Sequence, residues 1–157
     1  MTGFLQAIAG WSGAVFLQEY WIAYLVVNAA HILGIGLLLG AILPLDLLLL
    51  RARHARDLPV LGPFLVRAAA TGAALAVTTG LWLFSVKPME YAGNRAFLFK
   101  AALLLLAACN IALQHRGEGF DAALRSGRPS ARVRILVAAS AVLWLSILFA
   151  GRWIGFV

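Results

Sequence analysis

The chain has 157 residues, 63% of them hydrophobic and 12% charged, with a mean hydropathy of +0.93. A soluble domain carries about 45–50% apolar and about 25% charged residues, so a water-soluble globular enzyme is excluded and a small, single-domain integral membrane protein is expected. The net charge of +7 and the pI near 10.8 fit basic loops beside a bilayer. There is neither zinc-finger spacing nor a basic solvent-exposed domain for nucleic acid.

Residues 1–19 carry Phe4, Leu5, Ile8, Trp11 and Phe16 among small residues, with no charge before Glu19. A secretory signal opens with a basic stretch, so this segment is read as a short helix lying in the membrane interface. A bilayer core is crossed by about 20 apolar residues in a helix. Four segments meet that requirement: 21–50, 63–86, 96–113 and 133–157. The stretches between them are short and punctuated by Pro59, Gly62 and Pro63, by Pro88 and Gly93, and by Gly127 and Pro129. None can hold a catalytic domain, so any chemistry lies between the helices. The expected fold is an all-α, four-transmembrane-helix bundle with a short N-terminal interfacial helix.

Charge sets the sidedness. Arg51, Arg53, Arg56 and Arg67 flank the first loop, and Arg116, Arg125, Arg128, Arg132 and Arg134 flank the third, together nine of the thirteen Lys and Arg residues. Basic residues collect in short cytoplasmic loops. Both termini are therefore expected on the outer side of a bacterial inner (plasma) membrane.

Ionisable residues inside a span are costly and are functional candidates by default. His31 lies ten residues after Trp21, about 15 Å below the outer boundary at about 1.5 Å per residue. Asn28 and Gly34 share its helical face, while Gly36 and Gly40 permit a partner helix, a second copy or a flat cofactor to approach. Two readings stand: a histidine hydrogen-bonded within the bundle, or a ligand, since imidazole is the commonest metal and haem-iron ligand. Lys100 lies about 7–8 Å down the third span from the same side, and Arg152 lies near the outer face in the fourth. Each is either a snorkelling anchor or a cation for an anionic group on a bound molecule.

A deep histidine below two shallower cations matches a haem set on edge, with iron on His31 and propionates toward Lys100 and Arg152. Thr78, Thr79, Trp82, Trp144 and Ser146 fall at comparable depth and either line such a pocket or pack the bundle. His54 and His115 are expected at the cytoplasmic side, so a five-coordinate haem, or one with an external or non-histidine sixth ligand, is expected in place of a bis-histidine haem within one chain; Met89 is a weak candidate for that ligand and Asn28 a weaker one. Asp46 and Arg67 are expected to form an ion pair, with Arg51 as an alternative partner for Asp46, or to act as helix-end anchors; Asn110 is expected to hydrogen-bond between helices, and Cys109, the single cysteine, to pack. Soft Cu(I) sites favour Cys and Met, here Cys109, Met1 and Met89, widely separated.

The run Ala30-His31-Ile32-Leu33-Gly34-Ile35-Gly36-Leu37-Leu38-Leu39-Gly40, followed by Asp46-Leu47, resembles a family of four-helix bacterial membrane proteins. Phe97-Leu98-Phe99-Lys100-Ala101 and Ala150-Gly151-Arg152-Trp153 carry the same resemblance, which covers most of the chain. More distantly the pattern is similar to HemJ-type protoporphyrinogen oxidases and copper-resistance-D membrane proteins, with a first-helix histidine and a third-helix lysine. In the HemJ type both residues are essential and a b-type haem is bound; for this chain that implies roles for His31 and Lys100. The expectation is a membrane b-type haem protein passing electrons to or from a quinone or a redox protein. The alternatives are porphyrinogen oxidation at the same pocket, a cofactor-free transport path lined by His31 and Lys100, and a plain anchor subunit.

Overall fold

The computed structural model describes residues 2–51 and 57–156, and all regular structure among them is helical. Met1, Arg53, His54, Arg56 and Val157, weighed above as a copper ligand, loop residues and a span end, lie outside the described residues. In chain order the helices are α1 (Thr2–Ala9), α2 (Ser12–Glu19), α3 (Trp21–Arg51), α4 (Leu58–Val86), α5 (Pro88–Gly93), α6 (Arg95–His115), α7 (Gly119–Ser126) and α8 (Ala131–Trp153), followed by a 3₁₀ turn, Ile154–Phe156. Four of them, α3, α4, α6 and α8, are long and apolar enough to cross a membrane. Their outward side chains, such as Leu33, Leu105 and Phe149, are two-thirds or more exposed, a surface suited to hydrocarbon and not to water.

The ends of the long helices follow from local chemistry. Asn94 caps α6 by accepting from the Phe97 N–H at 3.0 Å, and Ser130 caps α8 through the Val133 N–H at 3.3 Å. α7 stops at Gly127, whose φ of +65° is the left-handed conformation that glycine adopts without a Cβ penalty. α4 begins five residues earlier than the expected span. Pro59 sits in its first turn, where a missing N–H costs nothing, so Leu58–Gly62 is helix and not turn.

The long helices form two antiparallel hairpins, α3 with α4 and α6 with α8, joined mainly through α3 against α8. The α3/α4 seam is tight because Gly34 faces the Ala76 backbone and Gly72 faces that of Leu38. Gly36 and Gly40 have open space beside them, so the residues admitting a neighbouring helix are Gly34 and Gly72. The core divides into three layers. Leu17, Val27 and Leu83 lie at the α2 end; Leu38, Ala41, Ala69, Ala107, Trp144 and Ile147 fill the middle; Leu45, Leu49, Leu58, Phe120, Leu124 and Val137 pack the α7 end.

The N-terminal segment is two helices rather than one, and it is docked onto the bundle. Ala14 and Leu17 are buried, the Trp82 indole N–H donates to the Gly13 carbonyl at 2.8 Å, and Gln18 donates to the Val86 carbonyl at 3.0 Å. At the opposite end, the amphipathic α7 tucks Phe120, Ala123 and Leu124 under the bundle, a helix where a polar loop was expected.

The ion pair expected for Asp46 does not form. Arg51 and Arg67 are exposed, whereas Asp46 is 1% exposed on the α3 face that meets α8, with Ser140 as its hydrogen-bond partner. The guanidinium groups stay at the surface because following the carboxyl inward would strip them of solvation. Asn110 does bond between helices: its Nδ2 donates to the Leu136 carbonyl of α8 at 3.1 Å.

Candidate functional site

His31 projects from α3 into the seam with α4. Its Nδ1 lies 3.0 Å from Thr79 Oγ1, the Ala76 carbonyl lies within hydrogen-bonding reach of the ring, and a Cβ on Gly80 would stand 2.9 Å from the ring Cε1. Gly80 is therefore the space into which the imidazole fits; any larger residue there displaces it.

The threonine favours one tautomer. Thr79 gives its one hydroxyl proton to the Leu75 carbonyl, one turn back along α4. With that proton donated to Leu75, Oγ1 is free to accept from the imidazole, the arrangement in which Nδ1 carries the hydrogen. Nε2 is then the nitrogen with the lone pair. An imidazole oriented by a hydrogen bond at one nitrogen and basic at the other is the arrangement found in metal-ligating histidines.

Lys100 reaches the same region from α6. Its ammonium lies in electrostatic range of the His31 ring and runs across Gly151 of α8, 3.4 Å from where a Cβ would sit. It is half-buried, and the one ion pair among the described residues joins Lys87 to Glu90 at 3.1 Å. Among the described residues no carboxylate pairs with the Lys100 amine. Phe84 of α4 stacks on Phe97 of α6 with centroids 5.3 Å apart, and Tyr91 of α5 closes the cluster at 6.0 and 5.3 Å from the two rings. This aromatic group joins α5 to the ends of α4 and α6.

The remaining expected site residues separate into distinct places. Arg152 is exposed, with its guanidinium 4.4 Å above the Phe156 ring in the 3₁₀ turn, and is not brought to Lys100. Asn28 is exposed on α3. Gly34 serves the α3/α4 backbone contact, and Trp144 is buried in the middle layer among Leu38, Ala41 and Ala107. Thr78 returns its hydroxyl to its own helix, Trp82 anchors α2, and Met89 is exposed on α5. Ser146 lines a cleft of about 440 Å³ between α6 and α8 with Phe99, Leu103, Phe149, Ala150 and Trp153, adjoining Lys100 and Gly151 in the sequence. His115 is exposed and bonded to the Ile111 carbonyl, and Cys109 is exposed.

Sequence reasoning did not single out Gly80 or Gly151 as the floors under the histidine and the lysine. The signal for Gly80 was present in Thr78-Thr79-Gly80, a polar pair and a missing side chain within an apolar span. Among the described residues no group of three or more His, Cys, Asp or Glu side chains converges, so protein ligands alone do not assemble a coordination sphere there. A lone imidazole suffices for a metal whose other ligands belong to a macrocycle. Against known proteins, no family model matches the chain, and no curated protein or solved structure matches it either.

Proposed function

We propose that the protein is a membrane-embedded b-type haem protein in which His31 would hold the iron and Lys100 would neutralise a propionate. The observation that carries the reading is the Leu75–Thr79–His31 chain of contacts, which holds the imidazole by Nδ1 while the Lys100 ammonium stands in electrostatic range on a different helix. Haem bound there supplies one-electron redox chemistry. Thr79 orients the imidazole and Gly80 gives it room, while Phe84, Tyr91 and Phe97 tie α5 to the ends of α4 and α6. Arg152, turned to Phe156, anchors the end of α8 instead of reaching a second propionate.

The end of the bundle bearing α1, α2 and α5 faces the outside of a bacterial inner membrane, by the excess of arginine at the α7 end. A quinone or a membrane redox protein is the electron partner, met within the bilayer, and the open face at Gly36 and Gly40 is available to a second copy. The test is the absorption spectrum of protein purified from haem-replete cells, oxidised and dithionite-reduced, beside His31→Ala. A Soret band with reduced α and β bands in the wild type and none in the variant is expected. A colourless wild-type protein would overturn the reading and recast His31 and Lys100 as a polar transport path.

A further inference from the structure

Asp46 is the one carboxyl among the described residues that is buried; Glu19, Asp57, Glu90, Glu118 and Asp121 are all exposed. It lies in α3, five residues before Arg51 at the helix end, hence about 7–8 Å along the axis from the α7 end of the bundle. One carboxyl oxygen is served by the Ser140 hydroxyl of α8, whereas Oδ2 is buried with no hydrogen-bond partner.

The surroundings explain why Ser140 is available. A helical serine ordinarily returns its hydroxyl to the carbonyl four residues back, here Leu136. That carbonyl already accepts from Asn110 Nδ2 at 3.1 Å and Gln114 Nε2 at 3.2 Å, both from α6. The two amides occupy the serine's usual acceptor, so the hydroxyl turns to Asp46. Among the described residues no charged group pairs with the carboxyl. Arg51 on α3, Arg67 on α4, Asp121 and Arg125 on α7, His115 on α6, and Arg132 and Arg134 on α8 are all exposed, and α6 offers only the neutral Asn110 and Gln114. An ionised carboxylate enclosed in apolar surroundings without a counter-charge is far costlier than an unpaired neutral hydroxyl.

From this geometry we infer that Asp46 is an intramembrane proton-binding site, with Oδ2 carrying the proton and Ser140 holding the other oxygen. The ligand is a proton, exchanged with the aqueous boundary at the α7 end, which is nearer than the α5 end. The site is independent of His31 and lies in a different layer of the core.

Infrared difference spectroscopy of the full-length protein in lipid nanodiscs, wild type against Asp46→Asn at neutral pH, reads this directly. The expected result is a protonated-carboxyl carbonyl band present in the wild type, lost in Asp46→Asn and shifted in deuterated buffer. Ser140→Ala provides a second arm should Asp46→Asn fail to fold: the same band should move to higher frequency as its hydrogen bond is lost. Carboxylate bands in place of the carbonyl band, or bands that respond to sodium and not to deuterium, would overturn the proposal, the latter identifying a metal cation as the occupant.

Discussion

Replacing Gly34 by alanine inserts a single methyl into the tightest part of the α3/α4 seam. The new Cβ would stand 2.7 Å from the Ala76 backbone nitrogen and 3.1 Å from its Cα. Carbon contacts settle at about 3.5–4.0 Å, and the obstructing atoms are backbone, so α3 and α4 must part by roughly 1 Å at this level. Overpacking of that kind costs about 1–3 kcal/mol, offset in part by about 0.8–1 kcal/mol from alanine's better helix propensity. Gly36→Ala is the matched control: it makes the same propensity gain in the same helix with nothing within 4 Å of the added atom. The propensity terms cancel between the two variants, leaving Gly34→Ala less stable than Gly36→Ala by about 1–3 kcal/mol. Thermal unfolding followed by circular dichroism in one lipid or detergent system measures the difference. Because Gly34 lies one turn from His31, parting the helices also lengthens the bond to Thr79 and should weaken haem retention in Gly34→Ala alone. Equal unfolding temperatures for the two variants would refute the close contact and, with it, the helix register that places His31 against Thr79.

Thr79→Val keeps the side-chain shape but removes the acceptor for His31 Nδ1; haem affinity should fall about 10–100-fold, as is typical when the partner of a ligating histidine is lost, measured by haem titration of the apoprotein. Lys100→Met should lower haem retention on size-exclusion chromatography while leaving the iron ligand in place, so the band positions of the haem that remains should match the wild type. Tyr91, outside the spans, titrates above its ordinary value of 10.0, first because burial disfavours the phenolate and further because of Tyr24 and Glu90, with Lys87 opposing. A group raised on folding stabilises the fold fully below its unfolded pKa and loses that contribution as pH climbs through the folded value. The Phe84–Tyr91–Phe97 cluster should therefore hold to about pH 10 and loosen above it. Ultraviolet phenolate titration of wild type against Tyr91→Phe checks the order of events.

The spans were legible because the sequence contains long apolar runs bounded by Pro, Gly and Arg, a signal tied to bilayer thickness and largely independent of tertiary detail. The same runs conceal which face of each helix is turned inward. In Trp21–Arg51 almost every residue is apolar, so Gly34, Gly36 and Gly40 look alike, although only Gly34 meets a backbone. α7 was missed because eight residues containing Arg, Asp and Ser read as a loop until Phe120, Ala123 and Leu124 find the end of the bundle to cover. His31 and Lys100 stood out because a titratable side chain in an apolar run has few reasons to be there, and they do converge. Arg152 satisfied the same criterion but lies within a turn of the helix end, where a local ring, Phe156, is as accessible as the interior. Asp46 was read as an ion-pair member or an end anchor, since proximity in sequence to arginine does not reveal that its side chain faces Ser140 on a helix nearly a hundred residues later.

The account rests on His31 acting as a ligand and not merely as a packed side chain, and chemical rescue separates the two roles. His31→Gly, purified from haem-replete cells with and without free imidazole, should be colourless alone. With imidazole it should regain a Soret band and reduced α and β bands, because the space beside Gly80 and Thr79 can hold the free ligand. A His31→Gly protein that retains the wild-type spectrum without imidazole would contradict the assignment, as would a folded variant that imidazole cannot restore.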